Sequence, residues 1–294
     1  MVSPMSPCRG TPPLWFVPEP FAERIDRDLP LDQRRSERTA VLVPDAVRSV
    51  GLPSFTAVVD AAAAAEVTLG VLPIESSLVG PIAETHDLLY RAPLSIVRET
   101  SLPIRHCLVG VAGATLEGAT TLRSHPAAFD QCRELLAEMG VRCIPSATTA
   151  DAAREVADSR DPAVLAIASR EAAGHYDLEV IADDVGDHPT AFTRFVALAP
   201  YTQIAGADGW RTALSFVTDH RPGALFHALG AFARYNVNLV QLVSRPLPNS
   251  PWRYRFDVVL DGHVFDPTVR PALRDLRAET RELRLFGSYP AEVK

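Results

Sequence analysis

The chain reads as an α/β protein that ends in a ferredoxin-like βαββαβ half-sandwich, and three features of its 294 residues carry that reading. From Thr39 to about residue 200, short apolar runs alternate with segments of helical periodicity, the order that builds covered sheets, here expected to be mainly parallel. Several of these runs stop at a hydroxyl residue where a helical pattern starts, as strand ends leading into capped helices do. From Arg211 onward the order becomes strand, helix, strand, strand, helix, strand.

Taken in order, the region up to Arg38 is rich in Pro, Arg and Asp and holds one strand-like patch, Leu14 to Val17. A strand from Ala40 to Val43, a helix from Phe55 to Ala65 and a strand from Thr68 to Ile74 follow. The segment Gly70 to Gly80 then interrupts an apolar run with Glu75, Ser76 and Ser77 before a helical pattern begins at Pro81. Ligands in open α/β sheets collect at strand carboxyl ends, and helix N-termini offer free N–H groups. Ser76, Ser77 and the amides near Gly80 therefore suit a carboxylate or phosphate. Equally, the two serines suit the cap of a helix from Pro81 to Tyr90.

The next block repeats the grammar. Leu94 to Glu99 and Ile104 to Val111 read as strands, and Thr120 to Arg123 leads through Ser124-His125-Pro126 into one helix from Ala127 to Met139, stopped by Gly140. Strand Arg142 to Ile144 meets Thr148-Thr149 ahead of a helix from Ala150 to Asp158. Strand Val164 to Ala168 meets Ser169 ahead of a helix from Arg170 to Tyr176. N-capping accounts for Ser124 and Ser169, whereas the adjacent hydroxyls of Thr148 and Thr149 suit both a cap and a ligand contact. His106 and His125 lack a zinc-like neighbourhood and read as structural histidines.

After the loop at His188-Pro189, alternation from Thr190 to Leu198 places Phe192, Arg194 and Val196 on one face and Thr193, Phe195 and Ala197 on the other. Arg194 has the planar fork that grips a carboxylate, and the Thr193 hydroxyl can donate to a leaving oxygen. A surface arginine beside a β-forming threonine has the same local sequence. The C-terminal module offers a strand from Arg211 to Asp219, then a helix to Tyr235 with Leu225, Ala228, Leu229 and Phe232 on its apolar face. Strands Leu239 to Pro246 and Trp252 to Leu260 follow, the latter with Tyr254, Phe256, Val258 and Leu260 inward. Asp266-Pro267 suits the start of a helix carrying Val269, Leu273 and Leu276, and Glu282 to Phe286 closes the module.

Composition narrows the function. The length suggests two or three compact units. A formal net charge of −7 with no Lys/Arg cluster argues against a nucleic-acid binder. Cys8, Cys107, Cys132 and Cys143 fall at no metal-ligand spacing, so no metal is expected and a reducing cytoplasm fits. The four prolines in the first fifteen residues speak against a signal peptide, and no window is long enough to span a bilayer.

In their order and spacing these pieces resemble prephenate dehydratase with its C-terminal ACT domain, over about Pro53 to Tyr289. Gly70 to Gly80 is similar to the family's Gly-Val-Val-Pro-Ile-Glu-Asn-Ser segment and Thr193-Arg194-Phe195 to its Thr-Arg-Phe motif. Pro222-Gly223-Ala224-Leu225 and Ser244-Arg245-Pro246 are similar to its ACT motifs, with Ser124-His125-Pro126 and Thr148-Thr149-Ala150 also in family order. The resemblance implies a catalytic region over 1–202, two-lobed like a periplasmic binding protein (lobes about 12–108 with 188–200, and 109–187), with prephenate in the cleft. It implies an ACT regulatory domain over 209–290. The implied catalytic residues are Thr193, assisting the leaving hydroxyl, and Arg194, holding the site. Glu75, Ser76, Ser77, Thr148, Thr149 and Phe195 would bind substrate. Gly223, Ala224, Leu225, Ser244 and Arg245 would bind an aromatic amino-acid effector such as phenylalanine. No cofactor is implied, and the assembly expected is a homodimer or homotetramer.

The chain departs from the family pattern at three places. Its Gly-Pro-x-Gly-Thr-x-Ser loop survives at best as Val17 to Glu23, Ser76 replaces the usual Asn, and Val243 stands where Glu precedes Ser-Arg-Pro. Alongside dehydration to phenylpyruvate, a non-aromatizing prephenate decarboxylase and an inactive metabolite-binding paralogue are the alternative readings.

Overall fold

The computed structural model describes residues 50–52, 54–188, 191–202, 209–248 and 250–291. The expected strands at Leu14 to Val17 and Ala40 to Val43, the Val17 to Glu23 loop and Cys8 lie outside the described residues. The chain forms two compact units, whose described parts fall within 103–191 with 50–54, and within 55–102 with 192–291.

The elements are, in chain order, α1 Phe55–Ala63, β1 Gly70–Ser76, β2 Gly80–Pro81, α2 Ala83–Arg91, β3 Ser95–Pro103, β4 Cys107–Gly110 and β5 Thr121–Ser124. Then come α3 Pro126–Asp130, α4 Arg133–Met139, β6 Arg142–Pro145, α5 Thr149–Ser159, β7 Val164–Ala168, α6 Arg170–His175, β8 Glu179–Ala182 and β9 Phe192–Ala199. The C-terminal module adds β10 Trp210–Val217, α7 Ala224–Arg234, β11 Leu239–Pro246, β12 Tyr254–Asp261, α8 Val269–Ala278 and β13 Glu282–Pro290.

The unit around 103–191 is built on a sheet of order β6-β5-β7-β4-β8. Its β6, β5 and β7 run parallel, whereas β4 lies antiparallel to both β7 and β8. The sheet is therefore mixed, because β4 enters it from a strand connection and not through a helical crossover. Central β7 carries apolar residues on both faces: Leu165 and Ile167 meet α3 and α4, while Ala166 and Ala168 meet α5 and α6. The single helix expected from Ala127 to Met139 is two helices. Asp187 reaches in at the break, its carboxylate accepting from the backbone N–H of Arg133 and Glu134 at 2.8 and 3.2 Å and its own N–H donating to the Gln131 carbonyl. An external carboxylate thus caps α4 and outcompetes the continued helix.

Ser124 does not cap. The strand runs one residue further than expected, and the fully buried hydroxyl donates to the Ile167 carbonyl at 2.8 Å. His125 takes the cap instead, its Nδ1 accepting from the Ala127 N–H, while Ser169 caps α6 as expected. His106 is bonded to Gln131 at 2.8 Å, in keeping with a structural histidine.

The other unit holds two sheets. In the first, of order β2-β1-β9-β3, β1 pairs antiparallel with β9. Gly70 opens β1 where an added Cβ would sit 3.1 Å from Ala62 and Val58 of α1, so its bare backbone lets helix and strand close together. The second sheet, of order β11-β12-β10-β13, is antiparallel throughout, and α7 and α8 cover one of its faces. Asp266 does not start α8: its carboxylate accepts from the His263 N–H at 2.7 Å in the preceding turn, and the helix begins at Val269.

The second face of this sheet is not open to solvent. Ala213, Val259, Phe286 and Tyr289 share one core with Val59, Leu72, Ile74, Leu89, Ile96, Val196 and Leu198. Strand β12 is consequently buried on both faces along most of its length, with Tyr254 exposed at its start against expectation, beyond the reach of α7 and α8. Burying Phe286 and Tyr289 contributes roughly 2–3 kcal/mol each, more than an exposed ion pair supplies. Arg284 adds a polar clasp, donating to the carbonyls of Tyr90 and Ala92 at the end of α2.

Gly287 sits at φ 139° against β3, where any Cβ would run into the Ile96 carbonyl. Gly287→Ala is therefore expected to cost about 2–3 kcal/mol or more through strain and overpacking, read as a lowered urea midpoint.

Candidate active site

The polar end of β1 is shaped by a bulge. Pro73 pairs with Phe195 and Glu75 with Arg194, so Ile74 is the extra residue, and it turns into the core. The bulge brings a carboxylate opposite Arg194, whose Nη1 lies 3.4 Å from Glu75 Oε2 with both side chains about a quarter exposed. The other carboxylate oxygen accepts from Gln241 Nε2 of β11 at 2.8 Å. One residue further, Ser76 stands opposite Thr193. Alternation sends this second pair to the other face of the sheet, as read from the sequence.

The two serines do not cap α2. Its N-cap is Ile82, which makes no side-chain bond, because the two-residue strand β2 intervenes and folds back on β1. Ser76 Oγ accepts from the N–H groups of Leu78 and Val79 at 3.3 and 3.4 Å, shaping the turn. Ser77 Oγ accepts from Phe192 N–H at 2.9 Å, while its own N–H donates to the Phe192 carbonyl. Thr85 of α2 pins the assembly by donating to the Pro73 carbonyl at 2.6 Å. Among the described residues no hydrogen bond reaches the Thr193 hydroxyl, which is half-buried and available to a ligand.

Glu75, Ser76, Ser77, Thr193, Arg194 and Phe195 are thus gathered on β1, its following turn and β9 of one unit. Thr148 and Thr149 lie in the other unit, at the start of α5. The Thr148 hydroxyl accepts from Asp151 N–H at 2.9 Å and donates to Asp151 Oδ2 at 2.8 Å, a cap reinforced by Arg154. Near that helix, Glu155 accepts from both Arg123 and Ser146 at 2.7 Å, a trio at the carboxyl ends of β5 and β6 that sequence reasoning missed. Its signal was present in strand ends carrying Arg and Ser before a helix.

The expected effector residues divide as well. Gly223, at φ 79°, precedes α7 as its N-cap residue, and Ala224 and Leu225 open the helix. On β11, Ser244 is exposed, whereas Gln241, Val243 and Arg245 share the half-buried face. Arg245 Nη2 donates to Asp87 Oδ2 of α2 at 2.9 Å. Val243 stands opposite Asp257, so a Glu there would set two carboxylates side by side.

Arg255, on β12 and missed by sequence reasoning, has no exposed side-chain surface. It donates to Asp87 Oδ1 at 2.8 Å and Asp257 Oδ1 at 3.2 Å, and its guanidinium lies 4.4 Å from the Tyr90 ring centre. His86 Nδ1 is 3.0 Å from the other Asp257 oxygen. Burial pushes the Asp87 carboxyl up, but hydrogen bonds and charge from Arg255 and Arg245 outweigh it and hold it below its ordinary value. Burial, with a hydrogen bond to Glu282, pushes Tyr90 up to about 12. Among the described residues no group of three His, Cys, Asp or Glu could hold a metal, and no helix is long and apolar enough to cross a membrane.

Against known proteins, the prephenate dehydratase family model matches residues 36–203 and the ACT domain model residues 212–278. The chain belongs to the prephenate dehydratase family. It is 36% identical over 238 residues to arogenate dehydratase/prephenate dehydratase 1, chloroplastic, of Arabidopsis thaliana, covering 76% of this chain and 61% of that one. The chain thus spans about three-fifths of the length of that curated plant relative. A bifunctional N-acyl-homoserine lactone acylase/prephenate dehydratase of Komagataeibacter europaeus is 34% identical over 225 residues, covering 76% of this chain and 80% of that one. Among solved structures, the prephenate dehydratase of Arthrobacter aurescens in complex with L-Phe superposes with a TM-score of 0.74 at 31% identity, covering 81% of this chain and 79% of that chain. The expected α/β catalytic region with a ferredoxin-like ACT domain therefore holds.

Because the Asp87 carboxyl is held below the ordinary carboxylate value, its stabilising contribution is complete above about pH 4 and is lost as pH falls through the lowered native value. Asp87→Asn is expected to lower stability at neutral pH and to flatten the acid limb of a urea-midpoint profile.

Proposed function

We propose that this chain is a prephenate dehydratase that converts prephenate to phenylpyruvate in phenylalanine biosynthesis, with residues 1–202 catalytic and 209–290 regulatory. The observation that carries the reading is the placement of Ser76 opposite Thr193 at the end of a strand pair braced by Glu75 and Arg194. Prephenate takes up one proton and yields phenylpyruvate, carbon dioxide and water, and the gain of ring aromaticity supplies the driving force. The protein has to orient a dianion and help the ring hydroxyl depart. Thr193 is too weak an acid to protonate the leaving group fully. It acts as a positioned donor to the departing oxygen, while the proton comes from water.

In this reading Ser76, Ser77, Thr148 and Thr149 contact substrate polar groups, and Phe195 borders the ring. Glu75, expected from the sequence to bind substrate, is instead paired with Arg194 on the face away from Thr193, and the two hold the strand pair in register. Phenylalanine is the proposed effector, bound by Gly223, Ala224, Leu225, Ser244 and Arg245. The L-Phe complex of the Arthrobacter aurescens enzyme supports that choice. A cytoplasmic homodimer or homotetramer completes the proposal. The plant relatives' names make arogenate the second substrate to assay.

Purified protein given prephenate is expected to release phenylpyruvate, and Thr193→Ala to lower kcat about 100-fold without unfolding. A hydroxylated, non-aromatic keto acid as product would replace dehydration by the decarboxylase reading, and absence of turnover by the binding-protein one. Calorimetric titration with phenylalanine, tyrosine and tryptophan is expected to give saturable heat with phenylalanine.

A further inference from the structure

Gln241 belongs to β11, the edge strand of the ACT sheet, yet its side chain ends on Glu75 of the catalytic strand pair. Two separate bulges aim these groups at each other. In β1, Ile74 is the extra residue, so Glu75 takes the place opposite Arg194. In β11, Val240 is the extra residue, so Gln241 stands opposite Val259 and shares the face that packs into the common core. A regular ladder would have turned Gln241 to the opposite face.

The chemistry of the contact suits a support role. An amide N–H holds one carboxylate oxygen at 2.8 Å without cancelling its charge, leaving the other oxygen to Arg194 at 3.4 Å. Arg194 also feels the Tyr289 hydroxyl of β13, which is bonded to Glu99 of β3, itself paired with Arg211 of β10. The ionisable surroundings of Glu75 are thus Arg194 at first hand, with Tyr289, Glu99 and Arg211 beyond it. At its other end β11 is tied through Arg245 to Asp87 of α2. Movement of this strand therefore pulls on two carboxylates of catalytic-region elements.

We propose that Gln241 is a positioning residue: it fixes Glu75, and through it Arg194, in the register that sets Ser76 opposite Thr193, so that a regulatory strand braces the catalytic strand pair. The proposal rests on the dehydratase reading of Thr193 and Ser76, and its test separates the two. With the full chain turning over prephenate, Gln241→Met is expected to lower kcat about tenfold with KM changed less than about twofold. Gln241→Glu places two carboxyls within hydrogen-bond reach, which share a proton only at low pH. Its kcat should approach wild type near about pH 5 and fall about tenfold relative to wild type toward about pH 9. A Gln241→Glu profile parallel to wild type, or an unchanged kcat in Gln241→Met, would overturn the positioning role.

Wild-type protein without turnover would overturn the dehydratase reading instead, and a thermal-unfolding cycle across Gln241→Met and Arg194→Met then decides the positioning role. Coupling through Glu75 is expected to make the double variant's unfolding constant depart at least about threefold from additivity. Additive effects would overturn the role.

Discussion

A guanidinium with none of its surface exposed, that of Arg255, is the constraint on which one half of this molecule depends. Removing such an ion from water costs several kcal/mol, and the loss is offset only where carboxylates meet it at good geometry. Asp87 from α2, Asp257 from its own strand and the face of Tyr90 do so together. The ACT sheet pairs with the elements around α2 in an arrangement that gives this ion two carboxylates and a ring face. Apolar contacts of Ala213, Val259, Phe286 and Tyr289 supply most of the attraction, and the buried charges select the register.

That packing bears directly on the chemistry. The β1–β9 pair presents Ser76 and Thr193 on one face and Glu75 and Arg194 on the other. The first face offers hydroxyls to a ligand, and the second is locked by an ion pair and by an amide from the ACT domain. A weak donor such as threonine helps a leaving hydroxyl only if it is held still, since positioning rather than acidity is its contribution. The ACT sheet packs behind this strand pair.

Much of this was legible in one dimension. The C-terminal βαββαβ order, the caps at Thr148 and Ser169, the opposed faces of Thr193 and Arg194, and the polar ending of β1 all follow from period and residue type. Failures came where a side chain had a distant competitor. Ser124 was claimed by the Ile167 carbonyl, the helix after Pro126 was cut by Asp187, and Ser77 was drawn to Phe192. Arg255 and Asp257 alternate with apolar residues as a solvent-facing stripe would, and their strand gave no warning that the stripe is buried.

The amino-acid sequence by itself determined the family, the element order of the C-terminal module and the identity of the hydroxyl and carboxylate groups at strand ends, because these depend on local periodicity and residue chemistry. Only the tertiary structure decided that the ACT sheet is buried on both faces, which carboxylate each arginine meets, and that Gln241 reaches Glu75. Those outcomes depend on two bulges, at Ile74 and Val240, and on contacts between residues more than 150 positions apart. No local pattern encodes a one-residue slip whose stabilisation comes from the far side of the chain.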